Sequence, residues 1–340
     1  MPNDERHNGR VSTAYLQPLL ELLRERHIDP AQLCELAGLT QHELAGDSIA
    51  ATSYLRLLDA GAARCDDAAF GLHVGERVKL GTYHVYGMLL MSCSDLGQAL
   101  QQTMRYEGLA HDLGRSLLGR TGELSEYRWD SWYPDASRHL AESVMAGIRV
   151  FGDWFAGTSL PPTPVYFAHP APADLREHQR LFGSAVEFDA PWHAARFPSA
   201  LLAWPVPNAA ISLHPILQQH ADQLLLKKYA QQHEHEQVSA VRNAIRRHLA
   251  SDCARLPMIA LELGLSVRSL QRKLSESGLN FQQILDQTRR ELAQTYLRQP
   301  ALSLADIAFL LAYQDQSAFQ HAFKEWTGMT PKAYRAHQPN

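Results

Sequence analysis

The chain has 340 residues, of which 45% are hydrophobic and 20% charged, and its formal net charge at pH 7 is −4. This composition excludes a disordered chain and is typical of a globular protein of about two domains. No run approaches the ~18 apolar residues of a membrane span, and the polar N-terminus lacks the apolar stretch of a signal peptide. We therefore expect a cytoplasmic protein with no membrane partner.

Residues 12–226 are predicted to form an α+β domain. Leucines at three- and four-residue spacing predict helix between residues 12 and 60, and helical patterns return at 95–107 and 139–155. Short segments bounded by Gly, Pro or charged residues predict strands. These lie around residues 117–118, 126–129, 165–167 and 186–188. Such a mixture is typical of an α+β fold.

A domain boundary is predicted at residues 227–237, which are polar and carry no large aliphatic side chain. We interpret this segment as a linker or as a solvated helix end. His233, Glu234 and His235 lie within it, but their spacing matches no i, i+4 ligand pair and no third ligand is identifiable. The sequence therefore predicts no metal site in this segment.

The cysteines contain no Cys-x-x-Cys pair, the pattern of a zinc ribbon or a thioredoxin-like redox site. They are Cys34, Cys65, Cys93 and Cys253. Nucleophile elbows, His-Glu-x-x-His, phosphate loops and dinucleotide fingerprints are also absent from the sequence. We therefore predict no cofactor and no catalytic residues, and keep a metal-dependent enzyme only as the distant alternative.

The charge is divided unevenly along the chain. From residue 241 onward there are 13 Lys and Arg against 8 Asp and Glu, a net charge of +5. The first 240 residues hold 19 basic against 28 acidic residues, a net charge of −9. A basic segment attached to an acidic one favours a module that binds nucleic acid.

The same basic segment contains a degenerate duplication with an offset of 48 to 50 residues. Each copy has an apolar helical face, a turn residue and a resumed i, i+4 apolar stripe. The first copy contains Ile259, Ala260, Leu263, Gly264, Leu265, Leu270 and Leu274. The second contains Ile307, Ala308, Leu311, Ala312, Tyr313, Phe319 and Phe323. Two short helices separated by a turn are typical of a helix-turn-helix.

The sequence thus predicts an all-α domain at residues 238–338. Its two helix-turn-helix motifs are expected at about 257–277 and 303–327, joined by a long helix from about Phe281 to Leu297. Two reading helices joined in this way could enter successive major grooves of double-stranded DNA, about 34 Å apart.

Candidate DNA-binding residues face away from the two apolar stripes. Arg and Gln can pair with guanine and adenine edges, whereas Ser, Lys and helix N-terminal amides are natural phosphate contacts. In the first motif these residues are Ser266, Arg268, Ser269, Gln271, Arg272 and Lys273. In the second they are Gln316, Ser317, Gln320, His321 and Lys324.

The segments Ile259–Leu274 and Asp306–Arg335 resemble the AraC/XylS family of transcription regulators. The match is most specific at Phe319-x-x-x-Phe323-Lys324 and at Gly328-Met329-Thr330-Pro331. The resemblance implies a bacterial sequence-specific regulator, an activator that contacts RNA polymerase, and a homodimer.

Two positions depart from the family pattern. Ala312 stands where the family usually has Gly, and if that turn requires a positive φ we expect a cost of about 1 kcal/mol. His321 stands where the family usually has Arg, and a neutral imidazole offers one donor where Arg offers a rigid fork. We therefore expect weaker or different base readout by the second motif, with pH sensitivity as a further hypothesis.

Several segments of the first domain resemble the arabinose-binding type of sensor domain, in a subgroup that includes ornithine-utilisation regulators. They are Gly71–Gly75, Met91–Leu100, Arg105-Tyr106, Phe167–His169 and Phe182-Gly183. The resemblance implies a domain that binds a small-molecule effector or mediates dimer contacts. A domain that serves only as a dimerisation scaffold, without a ligand, is the main alternative.

Aromatic and basic side chains of this domain could line an effector pocket, and an Arg in an apolar cavity would favour a carboxylate-bearing effector. The residues considered are Tyr83, His84, Tyr86, Arg105, Trp129, Trp132, Arg149, Trp154 and His169. The candidate effector-binding residues chosen from them are Tyr83, Tyr86, Arg105, Trp129, Arg149 and His169.

Overall fold

The structure is a computed structural model that describes residues 9–183, 185–207, 209–250 and 253–336. It divides into two compact units, Met1–Leu226 and Lys227–Asn340. The first contains helices and two sheets, and the second is helical, so the predicted classes are confirmed. Within the described residues, no helix is both long enough and apolar enough to cross a membrane.

The N-terminal unit consists of helices and strands that alternate along the chain. Its helices are α1 (Thr13–Glu25), α2 (Pro30–Leu36), α3 (Gln41–Leu44), α4 (Ala51–Cys65), α5 (Phe70–Gly75), α6 (His84–Leu90), α7 (Leu96–Tyr106), α8 (Arg138–Ala156) and α9 (Arg176–Phe182). Its strands are β1 (Arg10–Ser12), β2 (Ser48–Ala50), β3 (Gly114–Thr121), β4 (Leu124–Ser131), β5 (Val165–Tyr166), β6 (Val186–Glu187) and β7 (His193–Pro198).

The larger sheet of this unit has the strand order β3-β4-β7-β5-β6. All neighbouring strands are antiparallel except β5 and β6, which are parallel. The four predicted strand segments lie in β3, β4, β5 and β6. The strand β7 was not predicted, because its sequence His-Ala-Ala-Arg-Phe-Pro contains no β-branched residue.

Helix α8 lies at the centre of the unit and packs tightly against α5. A Cβ at Gly71 would lie 2.4 Å from the carbonyl oxygen of His139, and one at Gly75 would lie 2.3 Å from that of Ser143. Only glycine permits this approach of the two helix backbones. The contact fixes the position of α8, whose side chains Met145, Phe151 and Phe155 are buried in the core.

Residues 227–237 are helical and belong to α10 (His214–Leu249). Of the two interpretations, a linker or a solvated helix end, the structure agrees with the helical one. The segment contains no Gly or Pro and consists largely of Lys, Gln, Glu and Ala, which are good helix formers. The side chains of residues 231–236, and with them the interpretation of His233, Glu234 and His235, lie outside what the structure describes.

The C-terminal unit continues with further helices around one apolar core. They are α11 (Leu256–Glu262), α12 (Val267–Glu276), α13 (Phe281–Leu297), α14 (Leu304–Leu310), α15 (Gln316–Thr327) and α16 (Pro331–Ala336). Both predicted apolar stripes enter the core: Leu270 and Leu274 of α12 are buried, as are Phe319 and Phe323 of α15. The predicted long helix between the motifs corresponds to α13.

The turns of the two motifs have the same hydrogen bonds. In the first, the amide of Gly264 donates to the Leu261 carbonyl and that of Leu265 to the Ala260 carbonyl. In the second, the corresponding donors are Ala312 and Tyr313, and the acceptors are Phe309 and Ala308. Both patterns are Schellman motifs, which place one residue in the left-handed region. Gly264 has φ +66° and Ala312 has φ +56°, so the second turn does require a positive φ.

Replacing Ala312 with Gly is expected to stabilise the C-terminal unit by about 1 kcal/mol, because glycine adopts a positive φ without Cβ strain. The matched substitution Gly264→Ala is expected to cost a similar amount, since no atom lies within 4 Å of the added Cβ and only the backbone is strained. Hydrogen exchange of the amides in the two turns would measure both effects. If Ala312→Gly destabilised the unit and Gly264→Ala stabilised it, the entropy that glycine adds to the unfolded chain would outweigh the backbone strain of alanine.

Candidate functional site

The first candidate reading surface is the exposed face of α12. Because Leu270 and Leu274 point into the core, the opposite face presents Arg268, Gln271 and Arg272 to solvent. Ser269 and Lys273 are half-buried. The surface thus offers two guanidinium groups, an amide and an ammonium group. These groups can donate to guanine edges or phosphates, and the amide can pair with adenine.

Ser266 is the N-cap of α12. Its Oγ accepts the backbone amide of Ser269 at 3.1 Å and lies 2.8 Å from the Ser269 hydroxyl. The two predicted phosphate contacts therefore hold each other in the free protein. A neutral cap leaves the positive end of the helix dipole without a compensating charge, which favours an anion there.

The second candidate reading surface is the exposed face of α15. Phe319 and Phe323 are fully buried, and the opposite face is exposed. Its exposed predicted residues are Gln316, Ser317, His321 and Lys324, and Gln320 is half-buried. This surface carries one ammonium group and no guanidinium, so it offers fewer positive charges than the first.

The N-cap of α15 is Asp315, whose carboxylate accepts the backbone amide of Ala318 at 2.8 Å. The sequence analysis missed this residue. Its signal was present, because an Asp three residues before an apolar helical position is a typical cap. A carboxylate already compensates the positive end of this helix, which disfavours a phosphate at that end.

Arg289 of α13 fixes the turn of the second motif. Its Nε donates to the Leu311 carbonyl at 3.0 Å and its Nη2 to the Ala312 carbonyl at 3.2 Å. Its guanidinium also lies over the Tyr313 ring, 4.8 Å from the centroid. Sequence reasoning missed Arg289, because an Arg on a long helix gives no local sign of a distant partner. Arg289 therefore fixes the turn from which α15 begins.

The N-terminal unit contains a cavity of about 140 Å³ between α7, α8 and the sheet. Its lining is mainly aliphatic and aromatic, and it includes Phe151, Phe155 and Phe182. Arg149 is the candidate effector-binding residue that lines it. A largely apolar pocket with a few polar groups is typical of small-molecule sites.

Tyr83 and Tyr86 belong to an aromatic cluster beside this cavity. Their ring centroids are 5.1 Å apart, and Tyr83 lies 5.1 Å from Phe151, which lines the cavity. Burial raises the pKa of both phenols well above the usual value. Both rings therefore stay neutral and support the cavity wall from behind.

Two further candidates lie away from the cavity. Arg105 is half-exposed and pairs with Asp222 at 2.7 Å, and its guanidinium lies over Tyr106. Trp129 is 1% exposed within the sheet core. Of the other residues considered, Trp132 and Trp154 are exposed, and the side chain of His84 is outside the described set.

His169 lies in a buried polar cluster around Glu142. The Glu142 carboxylate is fully buried, pairs with Arg138 at 2.5 Å and with His178 Nε2 at 2.9 Å, and lies 3.8 Å from His169 Nε2. Burial lowers the pKa of His169, and burial lowers that of the neighbouring His193 to about 4. His169 is thus part of the interior of the fold, outside the cavity lining.

One group of possible metal ligands was found among the described residues. Ligand atoms of His73, Glu76 and Glu177 lie within 4.8 Å of one another. Arg180 already pairs with both carboxylates, at 2.6 Å and 2.7 Å, and His73 Nδ1 lies 2.7 Å from Asp67. These pairs neutralise the cluster, so its chemistry is that of a surface ion network.

Comparison with protein families gives two matches. Residues 28–206 match the arabinose-binding domain of AraC transcription regulators, N-terminal, and residues 259–337 match a helix-turn-helix domain. The first match alone covers more than half of the chain.

Comparison with individual proteins gives matches over the full length. The chain is 32% identical to the ornithine utilization regulator of Pseudomonas aeruginosa, covering 96% of each. It is 27% identical to the HTH-type transcriptional regulator VirS of Mycobacterium tuberculosis, covering 93% of this chain and 94% of that protein. Among solved structures, the transcriptional regulator CdpR of P. aeruginosa is 20% identical, covers 95% of this chain and 98% of its own, and has a TM-score of 0.46.

Proposed function

The chain belongs to the AraC family of transcription regulators, and from that premise we propose that it is an effector-responsive activator that reads two successive major grooves of its operator. In this proposal residues 238–338 bind DNA and residues 12–226 bind the effector and mediate dimerisation. DNA binding and regulation, rather than catalysis, are the function of the proteins it resembles.

The observation that carries the proposal is the repeated motif. Two helices, α12 and α15, follow identical Schellman turns, bury one apolar stripe each and present a polar face to solvent. A single surface helix of this composition is common, but two copies with the same turn geometry in the net-basic part of the chain favour paired readout.

Three further parts of the proposal rest on the family. We propose a small-molecule effector, a homodimer and a contact with RNA polymerase in the cytoplasm. The alternative is a ligand-independent regulator whose first domain is only a dimerisation scaffold.

Selection of genomic DNA fragments by the purified full-length protein at near-physiological salt tests the proposal. We expect a shared sequence with two elements about one helical turn, roughly 10 base pairs, apart. Fragments without a common sequence, all released together as salt rises, would indicate charge-driven binding only and would contradict paired readout.

Substitutions in each motif sharpen this experiment. Arg268→Ala is expected to weaken binding roughly 5- to 150-fold and to relax the sequence of one element only. Lys324→Ala is expected to weaken binding of all selected sequences alike. His321→Arg is expected to tighten binding through the second element, because Arg supplies a rigid pair of donors. An unchanged affinity of His321→Arg would contradict a reading role for this position.

A further inference from the structure

The effector cavity is built for a molecule with an apolar body. Its walls come from α7, α8, β5, β7 and the segment around Leu160. Ala99, Met145 and Phe155 are among the side chains that line it and offer no hydrogen-bonding group. An apolar cavity of this size, about 150 Å³, takes a molecule of the size of benzene.

Arg149 is the charged residue among those that line the cavity. It is 16% exposed, and its guanidinium donates to the Leu160 carbonyl at 2.9 Å and pairs with Asp153 at 3.2 Å. Ser159 Oγ and the Pro161 carbonyl also accept from it, at 3.3 Å and 3.4 Å, so the guanidinium is held at the cavity wall with its charge compensated by Asp153. A ligand carboxylate can replace the partly exposed Asp153 on this fork, because bidentate pairing with a carboxylate is the geometry that a guanidinium favours.

No carboxylate is among the residues that line the cavity where the structure describes it, and the remaining polar lining groups include Thr103 and Thr163. The Thr103 hydroxyl is already used, because it donates to the Ala99 carbonyl of its own helix at 3.0 Å. The Asp153 carboxylate beside the cavity already pairs with Arg149, so an ammonium group would have to compete with that guanidinium for it, which disfavours an ammonium group in this apolar site. This disfavours ornithine and other amino acids, although a relative regulates ornithine utilization.

We propose that this cavity binds a small apolar monocarboxylate, with its hydrocarbon body against the side chains of α7 and α8 and its carboxylate on Arg149. The body has the size of a phenyl ring or a short alkyl chain. The inference rests on the proposed effector-responsive function and specifies the chemical class of the effector. Because Arg149 also bonds the carbonyl of Leu160, the bound carboxylate contacts the same side chain that anchors this wall of the cavity.

Titration of the full-length protein with four probes tests the proposal: hexanoate, phenylacetate, hexan-1-ol and ornithine. We expect the two carboxylates to raise the melting temperature and to bind at least about 10-fold more tightly than hexan-1-ol, which lacks the charge. Ornithine is expected to bind more weakly than either. Equal affinities for hexanoate and hexan-1-ol would contradict the role of the ligand carboxylate. A higher affinity for ornithine than for hexanoate would contradict the proposal that the effector is apolar.

Variants assign the binding to this cavity. Arg149→Met is expected to abolish the preference for hexanoate over hexan-1-ol. Its binding of hexan-1-ol should be unchanged, and that binding also shows that the variant is folded. Ala99→Leu fills the cavity and is expected to weaken the binding of both hexanoate and hexan-1-ol at least about 10-fold. Arg176→Met, at an exposed arginine outside the cavity, is the matched control and should leave the binding of hexanoate unchanged. Retention of the preference in Arg149→Met would overturn the proposal.

The full-length wild-type protein is then used in the selection of genomic DNA fragments, with and without hexanoate. Recovery of a two-element sequence without any thermal shift by the carboxylates would overturn the inference on the effector and leave the proposed DNA readout standing. A thermal shift by hexanoate together with only charge-driven DNA binding would support the cavity assignment and contradict the DNA readout.

Discussion

Replacing Glu142 with Ala is expected to lower the free energy of unfolding of the N-terminal unit by about 3 kcal/mol, because it leaves a partly buried charge without its partner. Glu142 is fully buried and pairs with Arg138 and with His178. His178 is also buried. Once the carboxylate is lost, the partly buried Arg138 loses its counter-charge and the buried His178 Nε2 loses its partner.

Urea unfolding of the full chain at neutral pH measures this effect. Glu123→Ala is the matched control, since Glu123 is exposed, and a change within about 0.5 kcal/mol is expected. Glu142→Gln keeps the shape and removes the charge, so it should remain strongly destabilising. A loss below about 1 kcal/mol in both Glu142 variants would contradict a structural role of this ion pair.

The pH dependence provides a second readout for the same residue. Burial raises the pKa of Glu142, but the neighbouring His139, His178 and Arg138 lower it more, so the pKa lies well below its usual value of 4.5. A depressed carboxyl pKa contributes stability that is present above pH 4.5 and is lost as the pH falls below it. The difference between the wild type and Glu142→Gln should therefore narrow below pH 4.5.

Replacing Arg289 with Met is expected to destabilise the C-terminal unit by about 2–3 kcal/mol, because two charge-assisted hydrogen bonds are lost. The Leu311 and Ala312 carbonyls lose their donors, and the Tyr313 ring loses the cation above it. Since these groups form the turn before α15, DNA readout by the second element should weaken more than readout by the first.

Footprinting on the selected DNA distinguishes this effect from general unfolding. Arg290→Met is the matched control, because Arg290 is the exposed neighbour of Arg289 on the same helix. Arg289→Lys should recover only part of the loss, since one ammonium group cannot reproduce the geometry of the fork. Equal weakening of both elements in Arg289→Met would contradict a role confined to the second motif.

The C-terminal fold was predictable from sequence because its signals are local and occur twice. A glycine or alanine between two apolar stripes marks each Schellman turn, and both stripes, such as Phe319 and Phe323, enter the core as expected. Arg289 was not predictable in this way, because its acceptors lie 22 and 23 residues further along the chain.

The N-terminal site was less accessible to sequence reasoning. Aromatic and basic side chains were expected to line a pocket, yet Trp129 lies in the core and Arg105 pairs on the surface. Apart from Arg149, which was among the candidates, the cavity is lined by residues such as Ala99 and Met145, which are typical of any buried core. Whether apolar side chains meet or leave space between them depends on the packing of several elements, which no local pattern records.

The unequal caps of α12 and α15 have a consequence for the ion atmosphere of the duplex. Each phosphate that a protein neutralises releases condensed counterions, which makes binding sensitive to ionic strength. The neutral Ser266 favours such a phosphate at the first element, whereas Asp315 repels one at the second. As salt is added, binding through the first element should therefore weaken more than binding through the second, where Lys324 is the one predicted cationic contact on α15.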